Sequence, residues 1–312
     1  MILCRLLIAV GIFGILYPGT RNGIRELRST TEISAVNETV EEMDARSLEK
    51  IKEDAEQYNR RIYLEQKEKA FSYRGTESMD PYYESILNFG DGDNLLAWIR
   101  IPDAEIFLPV AHGTDAEKLQ YEAGHMYGTS VPIGGTNTHA VIAAHTGLLT
   151  ADLFTNLTRV EKGDFFYIYV AGEVHRYKTE EIRVVLPEEE APWLQIEEGK
   201  DLVTLYTCTP YGINDHRLLV QGVRAEDGRT DADRQIEENL IVNKTSEIPA
   251  EMRPEKEIDA KQMLQKEYIQ AGLRTAAGIA VPVWILLDPL YRKRKRKSKE
   301  TGIRKGERAE YK

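Results

Sequence analysis

The stretch that organises this chain is Thr204-Leu205-Tyr206-Thr207-Cys208-Thr209-Pro210, followed by Tyr211-Gly212-Ile213-Asn214-Asp215-His216-Arg217 and then Leu218-Leu219-Val220-Gln221-Gly222-Val223. An apolar/polar alternation runs into Cys208, and Pro210 cannot extend a hydrogen-bonded ladder. A second apolar run opens directly after Arg217. The linker Thr209–His216 is eight residues long and can turn the chain back as an antiparallel neighbour, which puts Arg217 across from Cys208. Cys208 then sits where a strand enters a loop, rigidly held and open to solvent.

Working outward, the same texture continues upstream. Leu95–Ile101, Ile106–Ala111, Ala140–Ala144, Phe165–Val170, Val174–Leu186, Leu202–Thr207 and Leu218–Val223 read as short strands with turn residues between them. The expected class is mainly β, a closed barrel or a sandwich. Pro187 to Lys200, with five Glu, is an acidic excursion between two strands. From Glu38 to about Phe71 there is neither Gly nor Pro, and Val40, Met43, Leu48, Ile51 and Tyr58 recur at helical spacing. One or two helices are expected there. Arg74 to Pro81 breaks that pattern and reads as a loop.

The chain ends differ from the body. Ile2–Tyr17 is apolar apart from Arg5, with no small-x-small cleavage pattern after it, and reads as an uncleaved anchor. A buried N-terminal helix is the rival, because the run is at the short edge of a membrane span. A second apolar run, Thr275–Leu287, precedes Arg292-Lys-Arg-Lys-Arg-Lys297. Basic residues beside a membrane segment stay on the cytoplasmic side. Residues 292–312 hold eleven Lys or Arg against three Glu, a net of +8, so residues 1–291 carry −18 of the total −10. An acidic body does not suit nucleic acid, whose phosphates need a basic face. The expected topology holds both ends in the membrane, the tail inside and the body outside.

The chain has two cysteines, and Cys4 lies in the N-terminal apolar run. Cys208 is therefore the lone thiol of the body. It cannot close an internal disulfide, and no His/Cys/carboxylate cluster has metal-ligand spacing. No cofactor is expected. A lone cysteine is more often inert than reactive, and a single Arg is more often a surface ion-pair partner. Beside a thiol, however, a guanidinium favours the thiolate and can hold an oxyanion. Two histidines compete as general acid/base: His145, closing the run Ala140–Ala144, and His216 beside Arg217. His139, at the far end of the His145 strand, is about 20 Å away at ~3.3 Å per residue. His112, His125 and His175 fall in turns or polar strands and read as solvated.

The blocks Thr204–Pro210 and Tyr211–Val220, with His125-Met-Tyr-Gly-Thr-Ser-Val-Pro-Ile-Gly134 and Ala143-Ala-His145-Thr-Gly-Leu148, resemble sortases, and more narrowly the class C, pilus-assembling ones. The resemblance covers roughly Ser78 to Arg224. It implies a sortase-type closed β-barrel of seven or eight strands, with N-terminal helices and membrane helices at both ends. It also implies that Cys208 is the nucleophile, His145 rather than His216 the acid/base, and Arg217 the oxyanion holder. Asp80-Pro81-Tyr82 is similar to the class C lid, so Asp80 is expected to meet Arg217 and Tyr82 to cover Cys208. This chain departs from the family at Tyr82, usually Trp or Phe, and at Ala144 and Thr146 around His145.

The resulting domain expectation is an anchor (1–20), a helical region (21–77), a lid (78–90), a barrel (91–226), a polar stalk (227–270), a transmembrane segment (271–291) and a basic tail (292–312). The implied activity joins an LPXTG-type sorting signal, cleaved between Thr and Gly, to a lysine of another pilin. Attachment of single proteins to a peptidoglycan precursor, or a non-catalytic tethered scaffold, are the alternatives. Calcium is not called for.

Overall fold

In the computed structural model, described over residues 23–25, 27–72, 79–89, 95–148 and 151–225, the Cys208 hairpin is one side of a closed barrel. Its strands are β1 (Leu95–Ile101), β2 (Ile106–His112), β3 (Ala123–His125), β4 (Thr138–Ala143), β5 (Phe165–Val170), β6 (Glu173–Val185), β7 (Asp201–Thr209) and β8 (His216–Arg224). They close in the order β1-β2-β3-β4-β7-β8-β6-β5. Six junctions are antiparallel, while β2–β3 and β4–β7 are parallel. Closure gives every strand a neighbour on both sides. The described residues from Arg28 onward belong to one compact unit.

The seven strands expected from the alternation are present, with ends shifted by a residue or two. The eighth, β3, has only three residues, Ala-Gly-His, too short for any period. Its glycine is forced by crowding: a Cβ on Gly124 would stand 2.1 Å from the Gly113 carbonyl oxygen. β4 is buried along its whole length, which explains why Ala140–Ala144 reads as a continuous apolar run. Ala140 and Ile142 join the main core, and Val141 packs outward with Met126, Leu194, Leu219 and Phe71. Leu194 comes from the acidic excursion, so that segment covers the barrel as well as being charged.

Residues 27–42 are helical, the helix breaks at Met43, and α1 (Ala45–Glu68) follows. Asp44 caps α1, accepting from the Arg46 and Ser47 amides at 3.1 and 3.0 Å. Ala55, Tyr58, Asn59 and Ile62 form its buried face at helical spacing. Asn59 pairs with the backbone of Val131, donating to its carbonyl at 3.0 Å and accepting from its amide at 2.7 Å. Within the segment 78–90, expected as a lid, lies α2 (Pro81–Ser85), with Asp80 as N-cap and Pro81 in the first turn. Tyr83, Ile86 and Leu87 of this segment lie in the main core.

The reading of His112, His125 and His175 as solvated is corrected: all three are buried. Core groups meet ring nitrogens of His112 and His125, whereas His175 Nδ1 is buried without a hydrogen-bond partner among the described residues. His112 Nε2 bonds the Ile86 carbonyl at 2.6 Å. His125 Nε2 donates to the Ser130 carbonyl at 2.7 Å, so its Nδ1 accepts from the Tyr83 hydroxyl, also at 2.7 Å. The same hydroxyl accepts from the Gly113 amide at 3.1 Å. Replacing Tyr83 by Phe strands both buried partners. It is expected to cost about 1–3 kcal/mol, read as a lower urea midpoint at unchanged m-value.

Burial also predicts acid sensitivity. It pulls His125 and His175 down to about 3 and His139 to about 4. In the unfolded chain each titrates near ~6.5. Between those values the unfolded state binds more protons, so stability is lost as pH falls through the window. Glu122, raised to about 7 by burial and by Glu32, acts in the opposite sense, as does Asp201, raised by burial. Three histidines against these carboxyls leave the histidine sense dominant. The urea midpoint is expected to drop between pH 7 and pH 5, and a flat or rising midpoint contradicts this assignment.

The anchor, stalk, transmembrane and tail segments expected at 1–20, 227–270, 271–291 and 292–312 lie outside the described residues. Among the described residues, no helix is long and apolar enough to cross a membrane.

Candidate active site at the β4–β7–β8 edge

Cys208 is the penultimate residue of β7 and stands directly opposite Arg217 in the antiparallel register with β8. Directly paired residues project to the same face, so sulfur and guanidinium share one side of the sheet. On the other flank, β4 runs parallel to β7 and its last pair is Ala143 with Tyr206. Two residues beyond that pair come His145 and Cys208. The chain is pinned there: the Ala144 amide donates to the Tyr206 carbonyl at 3.1 Å, and the Thr207 hydroxyl donates to the Ala144 carbonyl at 2.7 Å. The Phe154 amide donates to the His145 carbonyl at 3.0 Å. Three residues from distant parts of the chain thus reach one barrel edge, each half-buried.

His216 is paired with Thr209, one register position from Cys208–Arg217, and therefore points to the opposite face. Its Nδ1 lies 2.7 Å from Asp215 Oδ1, and its side chain is exposed. His139 is buried at the start of β4, held by the Gln195 carbonyl at 2.7 Å and Thr204 Oγ1 at 2.8 Å. Neither imidazole faces the sulfur. Burial pulls the His145 pKa below the ordinary histidine value, which favours the neutral ring and makes its conjugate acid a readier donor.

Arg217 is held on two sides. Its Nε donates to the Tyr206 hydroxyl at 2.8 Å, and Nη1 donates to the Asn214 and His216 carbonyls at 3.2 and 3.1 Å. The Tyr206 hydroxyl in turn donates to Glu190 Oε2 at 2.7 Å, and that oxygen lies 4.0 Å from Arg217 Nε. Burial opposes the Arg217 charge, but Tyr206, Cys208 and Glu190 outweigh it and the pKa is raised. The guanidinium is therefore permanently charged beside the thiol. Tyr211 and Ile213, in the β7–β8 loop, are exposed large apolar side chains at the same rim. Gly147 has φ +75°, a conformation that favours glycine, and a Cβ there would crowd the Tyr211 ring at 3.3 Å.

The expected pairing of Asp80 with Arg217 is not present among the described residues. Asp80 Oδ1 accepts from the Tyr83 amide at 2.7 Å, while Oδ2 lies 3.5 Å from Arg61 Nη2 and accepts from the Tyr127 hydroxyl at 3.3 Å. Tyr82 rests under the Arg61 guanidinium, 5.0 Å from its ring centroid, and beside Tyr58 of α1. The reason is local: Asp80 and Pro81 start a helix that drives Tyr83 into the core, which ties the segment to α1. The carboxylate near Arg217 is Glu190 instead. Sequence reading missed Glu190 and Tyr206. Tyr206 carries a signal, being two residues before Cys208 and so on the same face of β7. Glu190 is one acid in an acidic run and carries none.

Among the described residues no group of three or more His, Cys, Asp or Glu could hold a metal ion. A family model described as the sortase domain matches residues 99–225. The chain is 42% identical to sortase C-1 from Actinomyces oris, covering 58% of this chain and 99% of that one with a TM-score of 0.52. It is 36% identical to sortase C1 from Streptococcus agalactiae, covering 64% and 100% with a TM-score of 0.58. A curated relative, sortase A from Streptococcus agalactiae serotype III (strain NEM316), is 35% identical over 118 residues, which are 37% of this chain. The chain spans about half, 47%, of that relative's length.

Proposed function

Because the chain belongs to the sortase family, we propose that it is a pilus-type cysteine transpeptidase working through Cys208, His145 and Arg217. In this reading the Cys208 sulfur attacks the Thr–Gly carbonyl of an LPXTG-type sorting signal as His145 takes the thiol proton. Arg217 donates to the oxyanion of the tetrahedral intermediate. His145 passes its proton to the leaving glycine amine as the C–N bond breaks, leaving a thioester. A lysine amine of another pilin subunit then attacks the thioester. His145 receives its proton, the C–S bond breaks, and an isopeptide bond is released with the thiol restored. Thiol, imidazole and guanidinium supply all the charge handling, and no cofactor enters.

The observation that carries this reading is the register: Cys208 opposite Arg217, with His145 two residues past the last β4–β7 pair, as Cys208 is. Anchoring of both chain ends belongs to the same proposal, with the barrel outside a cell membrane and the basic tail inside. Substrates held in that membrane meet the enzyme at raised effective concentration.

The acceptor is the point to test. Purified protein is incubated with an LPXTG-type peptide, a lysine-bearing pilin domain and a peptidoglycan stem-peptide amine, and the products are weighed by mass spectrometry. The expected product is the lysine-linked conjugate. A product on the stem-peptide amine alone assigns cell-wall anchoring instead. No product and no adduct on the protein leaves a tethered, non-catalytic module.

A further inference from the structure

Arg217 lies at the end of a relay that the three-residue site does not include. Tyr206 and Cys208 alternate onto one face of β7, and Arg217 on β8 is opposite the second and diagonal to the first. The tyrosine hydroxyl accepts from Arg217 Nε at 2.8 Å and donates to Glu190 Oε2 at 2.7 Å. Glu190 is in the acidic excursion between β6 and β7, and its side chain is 14% exposed although the run around it is charged. The loop carbonyls of Asn214 and His216 take Nη1. Nε and Nη1 are thereby satisfied by the protein, and Nη2 has no hydrogen-bond partner among the described residues.

A long, rotamer-rich arginine is costly to order, and a donor aimed in advance costs nothing at the moment of reaction. We propose that Tyr206 and Glu190 are positioning residues that lock the Arg217 guanidinium by its Nε edge, leaving Nη2 directed at the oxyanion formed during acylation of Cys208. Neither touches the substrate. Tyr206 supplies the angle, and Glu190 fixes the tyrosine hydroxyl and offsets one side of the guanidinium charge. This inference rests on the transpeptidase reading.

The test compares single-turnover acylation of Cys208 by an LPXTG-type peptide in the wild type, Tyr206→Phe, Glu190→Ala and Glu190→Gln. Tyr206→Phe and Glu190→Ala are expected to lower the acylation rate constant about tenfold, with half-saturation within roughly twofold of wild type. Glu190→Gln recovers most of the loss, because its amide oxygen still accepts from Tyr206. Thermal midpoints stay near the wild-type value in all three. Unchanged rate constants overturn the proposal. So does a loss confined to half-saturation, or one that follows a fall in thermal midpoint, since either marks a purely structural contact. If Tyr206→Phe does not fold, the Glu190 pair decides by the same readouts. Arg217→Ala separates the two layers: if it retains full acylation, the transpeptidase reading of Arg217 fails. If it loses acylation while the Tyr206 and Glu190 variants keep theirs, only the positioning role fails.

Discussion

Replacing Cys208 by alanine is expected to lower turnover of an LPXTG-type peptide by at least about 10³-fold, to the limit of detection. The proposed route passes through a covalent thioester, and Cys208 is the free cysteine of the described body. In the proposed route His145 carries protons and Arg217 is a fixed cation, so neither takes over the role of the sulfur. Serine in its place keeps the size but presents a hydroxyl, which forms no appreciable anion at neutral pH, and is expected to be nearly as inactive. The side chain is half-exposed at a strand end, so neither change removes much packing. The thermal midpoint should stay close to that of the wild type, which distinguishes lost chemistry from lost fold. Substantial turnover by the alanine variant contradicts the mechanism outright.

Arg217→Ala is expected to lower kcat about 10²–10³-fold, the usual effect of removing one donor from an oxyanion site, with a much smaller change in KM. The asymmetry arises because the carbonyl oxygen gains its charge only as the sulfur adds. A group that meets that charge stabilises the transition state more than the bound substrate. Arg217→Lys is the sharper variant. It keeps a positive charge beside Cys208 but lacks the planar fork whose Nε is held by Tyr206. It is expected to recover little, remaining at least about tenfold below wild type. A lysine variant with full kcat means that charge alone suffices. Peptide-cleavage kinetics by chromatography measure both parameters.

Much of this molecule is legible in its residues because the barrel obeys local rules. Alternation and, at Ala140–Ala144, a continuous apolar run mark seven strands, and the length of the Thr209–His216 linker lets Arg217 come across from Cys208. The helical spacing at Tyr58 and the neighbouring apolar positions marks α1. What escaped is what local pattern does not carry. β3 is three residues long and owes its place to its partners β2 and β4. His112, His125 and His175 sit among polar residues in the chain yet are buried, because carbonyls and hydroxyls from distant segments meet their ring nitrogens or barrel closure covers them. Asp80-Pro81-Tyr82 reads as a lid by resemblance and as a plain turn without it, and the helix start went unread, although Asp as N-cap and Pro in the first turn are its ordinary signals. Glu190 reaches Arg217 only through the tertiary path of the acidic excursion.

The correction at Asp80 bears on function. With Arg61 and Tyr127 holding Asp80, and Tyr82 stacked under Arg61, the Asp80 carboxylate is engaged away from Arg217. The carboxylate nearest Arg217 is Glu190, from the acidic excursion between β6 and β7.

The central claim is that one sulfur, served by an imidazole and a guanidinium from neighbouring strands, becomes acylated by a peptide. Incubating the protein with an LPXTG-type peptide in the absence of any amine acceptor and mapping the added mass by tandem mass spectrometry addresses it directly. The expected spectrum shows the peptide's Thr-terminated acyl fragment on Cys208, discharged on addition of hydroxylamine. An unmodified Cys208 with intact peptide, or acyl mass on any other residue, contradicts the account.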